Sequence, residues 1–180
     1  NTPAPQATLG LTVQNRHVVG CCHSKGDLKS DLLWGNSAHV CDTILKSGMA
    51  STPQTVLAVA SQSWQVAGVG DFDHDGKADI LWRNLSTGAN TIWKAANSAT
   101  PQAVATLADL NWHIVGIGDF DGDGKSDIFW RNTSTGADVI WKSAKPATPL
   151  VTTGLPDQTG RVGGAGGSTG DGGAAVVVRN

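Results

Sequence analysis

The chain has 180 residues, of which 39% are hydrophobic and 16% charged, with a formal net charge of −2. That balance excludes a disordered polyelectrolyte and leaves no basic excess to neutralise a phosphate backbone, so nucleic acid is not an expected partner. The outliers are 23 glycines and seven tryptophans, against three phenylalanines and no tyrosine, which favour short strands and tight turns over long helices. No apolar run approaches the roughly 20 residues of a membrane span. The opening Asn1-Thr2-Pro3-Ala4-Pro5 lacks the basic and apolar regions of a signal peptide and reads as the start of a processed chain.

The elements repeat. Residues 64–94 (WQVAGVGDFDHDGKADILWRNLSTGANTIWK) align without a gap to residues 112–142 (WHIVGIGDFDGDGKSDIFWRNTSTGADVIWK), an offset of 48. In chain order, residues 1–15 carry Pro5-Gln6 and Leu9 at the phase of a fourth strand. Unit one, 16–63, keeps KSDLLW; units two and three, 64–111 and 112–159, keep the whole pattern; residues 160–180 keep VVVRN. All seven tryptophans fall in three columns: Trp64/Trp112, Trp34/Trp82/Trp130 and Trp93/Trp141.

Within unit two the expected strands are 64–69, 79–84, 89–93 and 103–107, with Ser86-Thr87-Gly88 as a turn. Four antiparallel strands in about 48 residues predict an all-β fold, a propeller built from four-stranded blades. Residues 1–180 are then a single repeat domain of three full units, with 160–180 and 1–15 as a composite terminal blade. The alternatives are half of a larger ring, completed by a second copy, and a fragment of a longer protein.

The chemistry concentrates in two loops. Asp71, Asp73, Asp75, Lys77 and Asp79 lie in DFDHDGKAD, and Asp119, Asp121, Asp123, Lys125 and Asp127 in DFDGDGKSD. Carboxylates at positions 1, 3 and 5 converge when a glycine at 6 lets the chain turn sharply. Position 7 offers a backbone carbonyl and position 9 a further carboxylate. Hard anionic oxygens in that spacing are what Ca²⁺ takes, and four carboxylates within nine residues repel one another without a cation. Two calcium sites are expected, because unit one (CCHSKGD) and the last unit (GSTGDGG) have lost the pattern. Cys22 and Cys41 (or Cys21 and Cys41) are the disulfide candidates, preferred over a soft-metal site that would add His23 and His39.

The GDFDHDGKADILWRN and GDFDGDGKSDIFWRN segments resemble FG-GAP/VCBS-type repeats, the calcium-binding blades of integrin-α-like propellers. The resemblance is strong over 64–142 and weak at both ends. It implies an extracellular or cell-surface setting and a role in adhesion, lectin-like sugar binding, or support of an extracellular hydrolase. The seven-bladed closure usual in that family would need about twice this length.

Beyond the loops, the tryptophan columns are expected to fill the core between blades. A rim position for Trp93 and Trp141, with Arg83 and Arg131 beside them, would instead supply stacking faces and donors for a sugar or a partner protein. Asn84-Leu85-Ser86 and Asn132-Thr133-Ser134 match the glycosylation triplet, but the repeat itself explains their recurrence. No nucleophile elbow, H-E-x-x-H pair or phosphate loop is present, so no enzyme activity is expected. The function read from the chain is a calcium-stabilised extracellular binding module for carbohydrate or protein. The alternatives are a self-assembling structural protein, whose incomplete terminal blades are completed by neighbouring copies in a homo-oligomer, and an accessory domain.

Overall fold

The computed structural model describes residues 63–147 continuously, residues 61 and 149–151, and the strands of both flanks at 16–22, 31–36, 42–45, 53–56, 161–167 and 174–179. The described residues are all-β apart from two single 3-10 turns. Three sheets have four strands each: β1 (Arg16–Cys22), β2 (Asp31–Asn36), β3 (Asp42–Leu45) and β4 (Pro53–Val56); β5 (Trp64–Gly70), β6 (Asp79–Asn84), β7 (Asn90–Trp93) and β8 (Pro101–Val104); β9 (Trp112–Gly118), β10 (Asp127–Asn132), β11 (Asp138–Trp141) and β12 (Leu150–Val151). A fourth pairs β13 (Arg161–Gly167) with β14 (Ala174–Arg179). Every sheet is an antiparallel meander, each strand beside the next in sequence. The first strands lie in series, β1 against β5, β5 against β9 and β9 against β13. Among the described residues the series does not close into a ring. No helix there is long and apolar enough to cross a membrane.

The 48-residue period is carried into backbone detail. The first strand of each sheet has a bulge where it pairs with the second, at Val19, Ala67, Val115 and Gly163, each 48 positions after the last. A bulge bends the strand and sharpens its twist, so the same kink recurs wherever a first strand must lie beside its neighbour.

Both faces of the middle sheet are buried, which is why β6 reads as the unbroken run Ile80-Leu81-Trp82. Ile80 and Trp82, with Trp93 and Ala96, join Leu33 of the first sheet in one cluster. Leu81 and Ile92 point the other way and join Phe72, Val104, Ile128, Trp130 and Trp141 in a second cluster, between the second and third sheets. Each cluster contains a tilted tryptophan pair, Trp82–Trp93 at 4.8 Å and Trp130–Trp141 at 5.0 Å between ring centroids. Trp82, Trp130, Trp93 and Trp141 thus take the core role expected of them, while Trp64 and Trp112 are half-buried beside the two clusters.

Arg83 ties the second sheet to the third. Its Nη1 donates to Gly88 O and Asn90 Oδ1 (both 3.1 Å), and its Nη2 donates to Leu107 O (3.2 Å) and Trp112 O (3.1 Å). The guanidinium also sits 4.9 Å from the Trp130 ring centroid, a cation–π contact in a largely dry setting. Burial lowers the Arg83 pKa from its ordinary value, the cost of taking this cation out of water.

The fourth strand of unit two differs from the sequence expectation. It spans Pro101–Val104 rather than 103–107. After Val104 the backbone leaves the ladder to serve the Ser-Thr-Gly turn. Ala105 O accepts from Asn90 Nδ2 (2.8 Å), Leu107 N donates to Gly88 O (3.0 Å) and Leu107 O accepts from Arg83.

Gly88 shows how tight that docking is. Its φ is +73°, and a Cβ there would lie 2.1 Å from the Leu107 carbonyl oxygen. Gly76 has a similar φ of +77°, yet a Cβ there would meet nothing within 4 Å. In denaturant unfolding of metal-free protein, Gly76→Ala should cost about 1 to 2 kcal/mol, the left-handed penalty alone. Gly88→Ala should cost clearly more, because the overlap is with backbone. Equal losses would show that the turn and the 105–108 segment do not pack as described.

Candidate metal centre

Each Asp loop leaves the first strand of its sheet and enters the second. Asp71 is the organiser of the first loop. Its Oδ1 accepts from His74 N (2.7 Å) and Asp75 N (3.2 Å), and its Oδ2 accepts from Gly76 N (2.9 Å). Asp119 repeats the arrangement with Gly122 N (2.7 Å), Asp123 N (3.2 Å) and Gly124 N (2.8 Å). The first carboxylate thus winds the loop around itself, and the turn needs left-handed backbone at position 4 (His74 φ +65°, Gly122 φ +78°) and at the position-6 glycine.

The ninth-position carboxylates are the deepest. Asp79 and Asp127 are fully buried. Asp79 accepts from Phe72 N (2.9 Å), at the loop entrance, and from Ala95 N (2.8 Å), in the turn after β7. Asp127 accepts from Phe120 N (2.8 Å) and Ser143 N (2.7 Å). Ala95 and Ser143 occupy the left-handed region, φ +47° and +46°, inside the 3-10 turns Lys94–Ala96 and Lys142–Ala144. The buried carboxylate therefore joins the loop to a strained turn two strands away and offsets part of that strain.

Three carboxylates come together in each loop, Asp71 with Asp73 and Asp79, and Asp119 with Asp121 and Asp127. Each offers an oxygen within 4.8 Å of the others. Both clusters could hold a metal ion, and the residues fit a hard cation: every donor is a carboxylate oxygen, and Asp73 Oδ1 is buried with no hydrogen-bond donor to satisfy it. The fifth-position carboxylates turn elsewhere. Asp75 accepts from Lys77 N (2.8 Å) and pairs with the Lys77 ammonium (3.1 Å). Asp123 accepts from Lys125 N (2.8 Å) and Ser143 Oγ (3.2 Å).

Sequence reasoning overlooked two lysines. Lys94 Nζ lies 3.1 Å from Asp73 Oδ2, and Lys142 Nζ lies 3.2 Å from Asp121 Oδ2. The signal was present, since Trp93-Lys94 and Trp141-Lys142 recur in phase, but only the folded turn brings these ammonium groups to the loops.

The candidate ligand-contact residues are placed in the interior. Trp93 is 8% exposed and Trp141 6%, each packed against its tryptophan partner. Arg83 is the inter-sheet tie already described. Arg131, also buried, pairs with Asp138 at 3.0 Å across β10 and β11, where Arg83 faces Asn90 instead. Asn84 and Asn132 hold the Ser-Thr-Gly turns: each side-chain oxygen accepts from two amides, Ser86 N and Thr87 N, or Ser134 N and Thr135 N. Asn132 Nδ2 is further engaged by Asp109 Oδ2 at 2.9 Å, so that the triplet nitrogen is committed to the fold. The disulfide candidates fall outside the described side chains: β1 ends at Cys22, and Cys41 lies outside the described residues.

Burial pushes the Asp79 carboxyl up to about 6 from 3.8; the Ala95 and Phe72 amides oppose the shift, and the charges of Asp73 and Asp71 add to it. Asp127 moves in the same direction, again chiefly through burial. In metal-free protein the folded state therefore retains protons that the unfolded chain has released. The resulting stability is fully present below about pH 4 and is lost as pH rises through about 6. Urea midpoints of chelator-treated protein between pH 4 and 7 should fall across that window, and Asp79→Asn should flatten the slope. An unchanged slope in the variant would place its origin elsewhere.

No curated protein and no solved structure matches the chain. The family model of the FG-GAP-like repeat matches residues 71–130, from the first carboxylate of the first loop to the Trp130 of β10. That match covers a third of the chain, and residues 71–130, which carry both Asp loops and strands β6 to β8, are similar to an FG-GAP-like repeat.

Proposed function

We propose that this protein is an extracellular, non-enzymatic binding module of β-propeller type, stabilised by two calcium ions. The observation that carries the calcium reading is the pair of in-phase carboxylate clusters, one with a buried oxygen, Asp73 Oδ1, that has no donor. Asp71, Asp73 and Asp79 would hold one ion, and Asp119, Asp121 and Asp127 the other. Asp75, Asp123 and the carbonyls of Lys77 and Lys125 are further oxygen donors of the same loops. Calcium suits them better than magnesium, which keeps more of its water and rarely uses an all-protein cage. Bound calcium would neutralise charges that now repel one another. The side-by-side first strands and the middle sheet buried on both faces favour blades of a propeller over a single sandwich. A repeated surface of this kind serves recognition of a carbohydrate or an extracellular protein better than it serves a unique catalytic cleft.

Because calcium binds only the folded loops, a hundredfold excess over Kd adds about 2.7 kcal/mol per site, or roughly 5 to 10 °C in Tm for a chain of this size. Thermal melts in chelator, millimolar Ca²⁺ and millimolar Mg²⁺ should show the sum of two such rises with calcium, roughly 10 to 20 °C, and Asp73→Asn should remove about half of it. Identical melts in all three would end the calcium reading. Lys94→Gln, which removes a competing ammonium from Asp73, should lower metal-free stability and tighten calcium binding. Binding to a glycan array, blocked by free sugar, tests the lectin-like reading; binding to an extracellular protein without such blocking favours adhesion.

A second reading is self-assembly. Among the described residues the β13–β14 sheet has two strands where the other three have four, and strand addition by another copy would extend it. A monodisperse monomer by light scattering would argue against it.

A further inference from the structure

The two loops touch each other as well as their own sheets. His74, the fourth residue of the first loop, sends its Nδ1 to the Gly124 carbonyl of the second loop at 2.6 Å. A carbonyl only accepts, so Nδ1 carries the proton and donates. In the opposite sense, Ser126 N donates to the Asp71 carbonyl at 2.7 Å. The residues at both contacts belong to the cluster-forming machinery. Asp71 is itself a cluster carboxylate, Gly124 N binds Asp119 Oδ2 (2.8 Å), and Ser126 directly precedes Asp127.

The fit is close. A Cβ on Gly124 would lie 2.5 Å from His74 Cε1, and one on Gly70, at the foot of the first loop, 2.5 Å from Ser126 Oγ. At the same loop position the second loop has Gly122, which adopts φ +78° freely, whereas His74 adopts φ +65° against its own preference. The one fourth-position side chain that tolerates this backbone is the one that reaches the other loop.

We propose that the two Asp loops take up their ions as a coupled pair, with His74 as the positioning residue that transmits the coupling. The proposal rests on the metal reading given above. An ordered first loop fixes the Asp71 backbone and the His74 ring. Those in turn fix Gly124 and Ser126, the residues that hold Asp119 and Asp127 in place. The second ion then meets a loop whose ordering is already complete, and binds more tightly than it would alone.

The experiment is a calcium titration by calorimetry of four proteins: wild type, Asp121→Asn to disable the second loop, His74→Gly, and the double variant. His74→Gly copies the glycine of the second loop and relieves backbone strain; His74→Asn, which also tolerates left-handed backbone, serves as a second version. With His74 present, Asp121→Asn should weaken binding at the first loop by about fivefold or more, the lower end of ordinary coupling. With His74 replaced, that loss should shrink to less than about twofold. Amide exchange gives an independent readout: loading the first loop of the Asp121→Asn protein should slow exchange at Gly124, whose carbonyl His74 holds and whose amide binds Asp119, and the slowing should vanish with His74→Gly. Two ions bound with first-loop affinity indifferent to Asp121→Asn would overturn the coupling, and the same loss with and without His74 would overturn His74 as its transmitter; both outcomes leave the metal reading intact. A wild type that binds no calcium would remove both.

Discussion

The organisation of each of the two central units depends on one buried carboxylate. Asp79 and Asp127 sit at the point where the Asp loop, the second strand and the turn after the third strand converge, and each accepts backbone amides from two of these segments. A carboxylate taken out of water is costly unless its lone pairs are satisfied, so wherever the buried Asp goes the loop entrance and the left-handed turn must follow. Its charge is also the local difficulty. With two further carboxylates within reach, burial raises the Asp79 pKa, and the Lys94 ammonium at Asp73 answers only one face of the cluster. The geometry that makes the turn rigid is the geometry that asks for a cation.

Around that point the sheets pack through pairs of complementary devices. Glycines admit close approach of β5 to β9, where a Cβ on Gly68 would lie 2.2 Å from Ile117 Cδ1. Large rings, Phe72, Trp130 and Trp141, fill the cluster between the second and third sheets. The arginines of the two central sheets have different partners on the third strand. Arg131 has a buried acidic partner in Asp138, whereas Arg83 faces the neutral Asn90. The second nitrogen of Arg83 donates to carbonyls of the following segment. A buried ion pair is weak evidence for stability, because desolvation offsets its Coulombic gain. The Arg83 contacts reach beyond one sheet, since Trp112, whose carbonyl accepts from its Nη2, opens the first strand of the third.

Much of this was legible in the chain itself. The second strands at 79–84 and 127–132 follow from their apolar runs between turn residues, and the structure places β6 and β10 there. The bulges recur at the same 48-residue step as the tryptophans because both answer the same packing need. The fourth strand was harder to bound. Its end is set by Arg83, Gly88 and Asn90 drawing the 105–107 carbonyls away from the ladder, and no local propensity in Ala105-Thr106-Leu107 records that. The interior setting of Trp93 and Trp141 was one of two readings of their periodicity, and periodicity alone does not say which side of a wedge a ring occupies.

The candidate centre divides along the same line. Sequence by itself determined the repeat, the antiparallel β class and the carboxylate spacing, because strand alternation and a glycine-hinged turn are local consequences of residue order. Which carboxylates converge was a tertiary matter. Asp71, Asp73 and Asp79 meet because β6 carries the ninth position back under the loop, while Asp75 is drawn to Lys77. Lys94, Lys142 and the link from His74 to Gly124 were likewise decided only by folding, since they join residues on different strands or in different units. A charge or a donor acts over a few ångströms of space, whatever the separation along the chain, and only the packed sheets set those distances.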